Sequence, residues 1–495
     1  MENYFNLVEE KWIPLELEGR ASLLDAFNPV SSSRIGGNAI QKFALIKLLL
    51  AIAQTCWTPE DDGEWASEGL EGMCRKCNEY LLQKRDLFFL YGERPFLQFP
   101  KLLECGLKPK DIGNCLIPDL LSDNNSILNS FLLPKKVSDA EKAVFLVTLM
   151  NYSLAGKRVD GLSPVFSPGY NTKKKTAKPG PSIGNYVGYL QTCFLGQNIA
   201  ETVWLNLFSK ISIERYLPEE LYSVGTPPWE KMPSGEDDSV AKCLKNSFMG
   251  TLCAVSRFVF FTRENGIIYT GGVEYPSHKE GWREPFMSYD LGEKVAWVDP
   301  TRRPWRNLNA ILGFAILDSG KDGFDCPQIS LLFNRNRRAK NSLGILSGGL
   351  KVRANAGDQS VKQDDDFVDD QVFLRTRDID SSWYMKLNNE FVELDGLAKR
   401  VFGSVSSYYK KLSVPRGKEK AQKAVFEFWS RCEAKKEELF SGEYSDECIK
   451  QRRVYFAHCA SDAFDEYCPR ETAKQMCAWA KCRPSFSKYL DMKER

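Results

Sequence analysis

A proline- and glycine-rich stretch, Ser163 to Gly184, places the strongest local constraint on this chain of 495 residues. Proline removes a backbone donor and fixes φ, and glycine permits turns that other residues resist. The residues concerned are Pro164, Pro168, Pro179 and Pro181, with Gly169, Gly180 and Gly184. Most of this stretch therefore forms neither helix nor strand, and the sequence predicts a long loop.

The same loop carries positive charge and aromatic rings. Its lysines are Lys173, Lys174, Lys175 and Lys178, and Lys157 and Arg158 precede them. Lysine attracts phosphate, and rings such as Phe166 and Tyr170 stack on a sugar or a base. Two interpretations follow from these residues: a solvated surface linker, or a loop that contacts a nucleic-acid groove.

Composition is that of an ordinary globular protein, with 43% hydrophobic and 27% charged residues. The length predicts roughly two to four domains. Because the net charge is only +2, nucleic-acid binding requires local basic patches and not a global basic field. The fifteen cysteines are scattered and the N-terminus has no apolar signal segment, so we expect reduced thiols and a cytoplasmic location.

Helical periodicity appears in three regions. The apolar run Phe43 to Ala53 contains Lys47 and has about half the length of a membrane span, so we expect a buried helix. We also predict an apolar helix over Gly188 to Ser209, directly after the basic loop. Four amphipathic segments joined by short loops predict a terminal four-helix bundle; they are Phe391–Tyr409, Ala421–Cys432, Phe456–Tyr467 and Glu471–Leu490.

The predicted fold class is therefore α+β. A mixed α/β body with loop-rich insertions covers residues 1–382, and the four-helix bundle covers residues 383–495.

Two arginine clusters have two interpretations each, namely phosphate binding or salt bridging on a solvated face. The clusters are Arg302, Arg303 and Arg306 around Trp305, and Arg335, Arg337 and Arg338 with Lys340. For either cluster taken singly, the sequence favours salt bridging.

Catalytic motifs are scarce. The chain has only two histidines, and His458 lies in the apolar pattern of a predicted helix, where we expect core or boundary packing. Cys74 and Cys77 form a lone CxxC pair without a matching second pair, which does not favour zinc. A phosphate-binding loop with GK[ST] is also missing. We therefore expect no catalytic residues, no bound metal and no cofactor.

A cluster of aspartates is the one enzymatic candidate. It consists of Asp364, Asp365, Asp366, Asp369 and Asp370, at the end of a β-hairpin predicted over Gly344 to Asp370. Close carboxylates hold Mg²⁺ in nucleases that cleave phosphodiesters. A solvated turn or an arginine-pairing surface has the same composition, so both alternatives stay open at this point.

Three motifs occur in a fixed order before the terminal helices: FNLVEEKWIPL, AKPGPSIGNYVGYLQTCFLGQNIAETVWLNL and GGLKVRANAGDQSVKQDDDFV. In this order the chain resembles, over its whole length, the large-subunit (CasA) family of the type I-E Cascade. Cascade is the CRISPR RNA-guided surveillance complex of antiviral defence.

The resemblance implies a non-catalytic, DNA-binding subunit. Such a subunit reads the protospacer-adjacent motif of double-stranded DNA through the minor groove and helps to open the duplex. Guide RNA then pairs with one strand to form the R-loop. The implied partners are other Cascade subunits, the CRISPR guide RNA, target DNA, and a helicase–nuclease or a nuclease fused to another subunit, with no membrane.

The resemblance also implies residue roles. The motif-reading loop falls on Ser167, Pro168, Gly169, Tyr170 and Asn171, with phosphate contacts from Lys173, Lys174, Lys175 and Lys178. The strand-separating hairpin falls on Val352, Arg353, Ala354 and Asn355. A loop that docks on the complex includes Asn125, Phe131 and Leu132.

A lysine finger of the family falls within Tyr269 to Lys279, where this chain departs from the family pattern. Glu274 occupies the expected position and Lys279 lies further on. The hairpin also lacks the family's wedge glutamine, so Arg353 or Asn355 takes that place. Two alternatives to the reader function remain: a metal-dependent nuclease using Asp364 to Asp370, and a scaffold that binds only RNA or protein.

Overall fold

The computed structural model describes residues 2–112, 136–154, 188–262, 265–273, 275–276, 278–290, 294–317, 323–339, 342–355, 358–360, 366–375 and 379–491. The chain forms two compact units. Unit 1 comprises Met1–Pro304 and Ser319–Gln371, and unit 2 comprises Trp305–Asp318 and Val372–Arg495.

Short strands and helices of varied length alternate along the chain. The strands are β1 (Tyr4–Asn6), β2 (Ile13–Pro14), β3 (Arg20–Ala21), β4 (Phe89–Tyr91), β5 (Lys110–Asp111), β6 (Gln191–Leu195), β7 (Arg257–Phe261), β8 (Gly266–Gly271), β9 (Leu343–Leu350), β10 (Arg353–Asn355), β11 (Asp358–Ser360) and β12 (Phe367–Leu374). The helices are α1 (Leu23–Ala26), α2 (Ala39–Cys56), α3 (Asp62–Gln83), α4 (Asp139–Asn151), α5 (Ile199–Asn206), α6 (Lys210–Tyr216), α7 (Ser239–Lys245), α8 (Phe248–Leu252), α9 (Leu308–Leu317), α10 (Leu332–Arg338), α11 (Ser381–Leu412), α12 (Gly417–Cys432), α13 (Lys436–Phe440), α14 (Asp446–Tyr467), α15 (Ala473–Cys482) and α16 (Ser487–Leu490). The predicted α+β class is confirmed.

Helix α2 forms the core of unit 1. It begins at Asn38, whose side chain accepts from the backbone N–H of Gln41, while the Gln41 side chain accepts from the backbone N–H of Asn38. The helix is long and apolar enough to cross a membrane, yet 78% of its residues are buried in the protein. Even Lys47 is only 4% exposed. The prediction of a buried helix here is confirmed.

The described part of unit 1 contains two three-stranded sheets. One has the order β5–β8–β7, and the other has β9 between β6 and the first part of β12. Strands β6 and β9 run antiparallel, with Gln191 opposite Gly348 and Leu195 opposite Gly344.

The prediction of a helix over Gly188 to Ser209 is wrong in its first half, which contains β6. All five residues of β6 are buried, and a strand buried on both faces shows the same continuous apolar run as a buried helix. Helix α5 begins only after Asn198, whose side chain accepts from the backbone N–H of Glu201 at 2.8 Å.

Unit 2 is built on periodic apolar faces. Three of the predicted helices are present within α11, α12 and α14. The fourth, predicted over Glu471–Leu490, divides into α15 and α16, with residues 483–486 non-helical between them. Helix α11 contacts α12, α14 and α15. The buried positions of α11 include Leu387, Leu394, Val401, Val405 and Tyr408. They recur every three, four or seven residues, so they lie on one face of the helix.

Helix α11 begins ten residues earlier than predicted, because Asp380 caps it by accepting from the backbone N–H of Trp383 at 2.7 Å. Unit 2 also contains α9, which the predicted division at residue 382 placed in the body. Within unit 2 the buried ring of Trp305 lies 5.8 Å from the ring of Phe391 and 5.9 Å from that of Trp429.

His458 is exposed on α14, so the expectation of core or boundary packing is wrong for this residue. The neighbouring apolar residues Phe456 and Cys459 fill the buried face.

Candidate nucleic-acid interface

Many of the predicted site residues lie outside the described residues. They are Asn125, Phe131, Leu132, Ser167, Pro168, Gly169, Tyr170, Asn171, Lys173, Lys174, Lys175, Lys178, Glu274, Asp364 and Asp365. The described residues on either side of these segments define how the chain enters and leaves them.

A buried polar network joins the two sides of the segment 155–187, which contains the predicted motif-reading loop. The Tyr152 hydroxyl donates to the side-chain carbonyl of Gln191, and burial raises the pKa of Tyr152, so the phenol stays protonated. Gln191 Nε2 donates to Glu284 Oε1 at 3.0 Å, and Glu284 Oε2 lies 2.6 Å from Lys47 Nζ. All four side chains are buried. The network thus fixes residues on both sides of the segment to the core helix α2.

A second tie holds the chain where it enters this segment. Leu154 is the last described residue before it, and the Leu154 carbonyl accepts from Arg257 Nη2 at 2.8 Å. Arg257 is fully buried, and its Nη1 donates to the Ser256 carbonyl at 2.9 Å. The Ser256 hydroxyl donates to the Met150 carbonyl at 2.5 Å. The entry backbone is therefore fixed at two carbonyls.

The exit from the segment is at Gly188, whose carbonyl accepts from the backbone N–H of Val298 at 2.9 Å. A Cβ atom at Gly188 would lie 2.7 Å from Val352 Cγ2 and 3.3 Å from the Trp297 ring. Only glycine permits so close an approach. The residue that follows the predicted loop therefore contacts the residue that precedes β10 of the predicted hairpin.

An aromatic cluster connects the exit of the loop segment with the third predicted segment, Tyr269 to Lys279. The Tyr189 hydroxyl lies 2.6 Å from His278 Nδ1, and the Tyr189 ring centroid lies 4.8 Å from that of Trp297. The His278 and Trp297 rings meet edge to face at 6.1 Å. Arg283 Nη1 donates to the His278 carbonyl at 3.1 Å. Gly188 at the exit of the loop segment and His278 of the finger segment thus lie beside Trp297, and Val352 before the hairpin lies against Gly188.

Sequence reasoning missed the roles of Tyr189, His278 and Trp297. Tyr189 lies within a quoted motif, but its partner His278 is 89 residues away. No short motif marks Trp297, which lies in the sequence VAWVDP.

The predicted hairpin is confirmed, with β10 antiparallel to β11 and Asn355 opposite Asp358. Val352 precedes the hairpin, and Arg353, Ala354 and Asn355 form its first strand. The predicted residues therefore lie just before and along the first strand of the hairpin, and residues 356–357 between the two strands are outside the described residues. Arg353 is exposed and Val352 is half-buried. Lys279 lies in a short 3₁₀ helix, His278–Glu280.

Two of the three described aspartates of the acidic cluster pair with cations, while Asp366 is exposed and accepts from the backbone N–H of Phe367. Asp369 Oδ2 lies 2.6 Å from Lys42 Nζ, and Asp370 Oδ1 lies 3.0 Å from Arg303 Nη2. Consecutive residues on a strand point to opposite faces, so these two carboxylates do not converge on one metal ion. In the described part of the chain, no group of three or more His, Cys, Asp or Glu side chains is placed to hold a metal.

Arg335 of the second arginine cluster is part of the protein core and does not bind a phosphate. It is fully buried, its guanidinium lies 3.7 Å from the Trp65 ring centroid, and burial lowers its pKa to about 10. Its donors reach the carbonyls of Leu205 at 3.0 Å and Leu207 at 2.7 Å. Phosphate binding is therefore wrong for this member, while Arg337 and Arg338 are exposed.

The CxxC pair lies on α3 with both side chains buried. Burial raises the pKa of Cys74 to about 12, and the pKa of Cys77 lies well above its ordinary value for the same reason. Both groups are therefore thiols at neutral pH, whereas zinc binds the thiolate.

Three comparisons connect this geometry with known proteins. The sequence profile of "CRISPR-associated protein Cse1" matches residues 6–453. A "CRISPR-associated protein CasA/Cse1" of Thermus thermophilus is 29% identical over 247 residues, which span 46% of this chain and 42% of that relative. The matched part is thus less than half the length of that relative.

Solved structures share the fold. The crystal structure of a CasA from Thermus thermophilus superposes with a TM-score of 0.72 at 18% identity, covering 98% of this chain and 99% of that one. A chain of a structure described as "CRISPR RNA-guided surveillance complex" gives a TM-score of 0.67 at 15% identity, with 97% and 98% covered.

Proposed function

Because the chain belongs to the family of CRISPR-associated protein Cse1, we propose that it is the large subunit of a type I-E CRISPR Cascade complex. In this role it recognises the protospacer-adjacent motif of double-stranded DNA, helps to open the duplex for the R-loop, and recruits the effector nuclease. It acts in the cytoplasm, without a catalytic site of its own. Its partners are other Cascade subunits, the guide RNA, the target DNA and a helicase–nuclease, or a nuclease fused to another subunit.

One observation carries the proposal: three segments with expected DNA contacts meet around one side chain. Gly188 follows the segment of the motif-reading loop, Val352 precedes the hairpin, and His278 lies in the finger segment. All three contact Trp297 or its immediate neighbours. Such convergence is required if one short DNA motif is to be read and the adjacent base pairs separated.

Rigid attachment of the loop segment supports the same function. Tyr152 and Gln191 are tied to the buried pair Lys47–Glu284, and Leu154 is tied to Arg257. Binding loses less conformational entropy when the ends of a loop are fixed beforehand. Since the net charge is only +2, the lysines of the loop supply the local attraction for phosphate.

The test is a gel-shift titration of the assembled complex, with and without this chain. The targets are guide-matched duplexes with a randomised flank, in Mg²⁺, and strand integrity is checked afterwards. We expect tight binding to require this chain, to select particular flanks and to leave the DNA intact. Equal flank choice without the chain would indicate an RNA- or protein-binding scaffold, and cleavage by the complex alone would indicate a metal-dependent nuclease.

A triple substitution separates phosphate contacts from motif reading. Replacing Lys173, Lys174 and Lys175 by alanine should weaken binding on every flank and reduce the slope of log K against log salt by about 2.7, or about 0.9 per lost contact. The control replaces Lys418, Lys420 and Lys423, three exposed lysines of unit 2, with the same change in net charge. An equal fall in slope for both triple variants would refute the phosphate role.

Motif reading itself is tested at Asn171. Asn171→Ala should change which flanks are accepted while the salt slope stays the same, because base contacts carry sequence information and phosphate contacts do not. A uniform loss on every flank would place the reading residues elsewhere.

A further inference from the structure

We propose that the exposed indole of Trp297 is a stacking platform for an unpaired base of the bound target DNA. The inference rests on the proposed function and adds a base-binding residue that the sequence motifs do not mark.

The exposure of Trp297 sets it apart from every other tryptophan. All eleven tryptophans lie in the described part of the chain. Nine of them are 9% exposed or less, Trp479 is half-buried, and Trp297 is 46% exposed. Tryptophan has a large apolar surface that is usually buried. The exposure of this one indole points to a ligand with a flat apolar face.

The indole is also held rigidly from behind. Trp297 forms a β-bridge with Tyr189, and on either side of it Val298 N–H donates to the Gly188 carbonyl and Leu190 N–H donates to the Ala296 carbonyl. The Tyr189 ring packs against the indole. A ring that is fixed before binding loses little entropy when a base stacks on it.

The position of the ring favours a nucleobase as its ligand, rather than an apolar segment of a protein. The ring edge lies beside Gly188, at the exit of the loop segment, and Gly188 in turn lies against Val352 at the base of the hairpin. Arg283 donates to the carbonyl of His278, whose ring meets the indole edge to face. An aromatic platform beside basic residues is how proteins bind single-stranded nucleic acid, with a base on the ring and phosphates on the cations.

A double-mutant cycle tests the proposal in the assembled complex. Guide-matched duplexes carry one abasic residue at successive positions of the flank and of the first base pairs, on either strand. For the unaltered protein, one abasic position should weaken binding on the order of tenfold, the usual effect of losing one base–aromatic stack. In the Trp297→Ala variant, an abasic residue at that position should not weaken binding any further, because the platform for the missing base is already absent.

Two further variants separate stacking from structure. Trp297→Phe keeps an aromatic ring and should restore much of the loss seen with alanine. Tyr222→Ala removes a comparably exposed aromatic side chain of unit 1, 41% exposed, and should leave every abasic effect unchanged.

The outcomes are distinct. A coupled abasic position supports the platform. If Trp297→Ala matches Tyr222→Ala, or if it weakens every duplex equally or blocks assembly with the other subunits, Trp297 is not a base platform. If the unaltered complex shows no flank selection, the proposed function itself is overturned, and this inference with it.

Discussion

Unit 1 and unit 2 both bury cationic side chains, but the partners of these cations come from different distances along the chain. In unit 1, Lys42 pairs with Asp369, 327 residues away, and Arg257 donates to Leu154, 103 residues away. In unit 2, Arg452 donates to the carbonyls of Glu438 and Glu443, 14 and 9 residues away. Glu390 of unit 2 also pairs with Arg453, 63 residues away, so these examples from the interface region join more distant residues than those from the helical region.

The two units differ in one apolar feature, the long periodic helix face of unit 2, although both contain ring contacts between distant residues, such as Trp305 with Trp429 in unit 2. In unit 2, α11 places its buried side chains on one face at helical spacing, so its packing is encoded within a single segment. In unit 1, the Trp65 ring stacks on that of Trp204 at 4.3 Å, and the two come from helices far apart in sequence. Closing such long loops costs entropy before any contact forms. The surface that is proposed to read DNA therefore depends on contacts that no single segment contains.

The largest expected effect concerns the buried pair Lys47–Glu284. Glu284→Ala leaves the Lys47 ammonium buried without its partner, so we expect the free energy of unfolding to fall by about 3–5 kcal/mol. Urea unfolding followed by tryptophan fluorescence measures this loss. The control is Glu60→Ala at the exposed pair Lys210–Glu60, where little change is expected because water already screens the charges. Equal losses for the two variants would contradict the role of the buried network.

The next effect concerns the apolar core of unit 2. Leu394→Ala leaves a cavity at a fully buried position of α11 and should cost about 3 kcal/mol. Circular dichroism at 222 nm during urea unfolding measures it. Val392→Ala, two residues earlier and 61% exposed, is the matched control and should have little effect. The flank selection of the assembled complex should not change, since these side chains do not belong to the proposed interface. If Leu394→Ala altered flank choice, the core of unit 2 would contribute to DNA reading, and the proposed difference between the two units would be wrong.

A smaller effect is expected at the exit of the loop segment. In Gly188→Ala the new methyl group overlaps Val352 Cγ2 and presses on the Trp297 ring, so we expect a loss of about 1–2 kcal/mol and altered flank preference. Adding Val352→Ala removes the overlapping methyl group. The double variant should be more stable than the sum of the single effects predicts. Strict additivity in urea unfolding would show that the two residues do not press on each other.

The smallest effect is expected for Tyr189→Phe, which removes the hydroxyl that bonds to His278 Nδ1. The free energy of unfolding should fall by about 1 kcal/mol, since one part-buried hydrogen bond is removed. The chain has only two histidines, so proton NMR distinguishes the His278 imidazole from that of the exposed His458. We expect the His278 signals to shift and those of His458 to stay. Unchanged His278 signals would refute the contact.

Much of the fold was predictable from local patterns. The apolar run around Lys47 predicts α2, four periodic segments predict the terminal helices, and the turn signal NAG predicts the hairpin of β10 and β11. The helix predicted over Gly188 to Ser209 was wrong in its first half because a doubly buried strand and a buried helix share one apolar pattern. The salt bridge favoured for the cluster of Arg335 is present with Asp62. The predicted solvated face is wrong for this residue, because charge alone does not reveal that Trp65 and two carbonyls surround it.

For the proposed site, the sequence predicted separate segments and not how they come together. The sequence pointed to the loop, the hairpin and the finger segment separately, on the strength of charge, glycine and family resemblance. Their meeting at Trp297 required the structure, because the contacts of Gly188 with Val352 and of Tyr189 with His278 join segments that are remote in the chain.

By itself the sequence determined where helices repeat their apolar positions, where proline and glycine prevent regular structure, and where lysines accumulate. These properties depend on neighbouring residues, so they can be seen without a fold. Only the tertiary structure decided which charges are buried in pairs and which tryptophan stays exposed. Those properties depend on contacts between side chains from distant parts of the chain, and the local sequence does not predict such contacts.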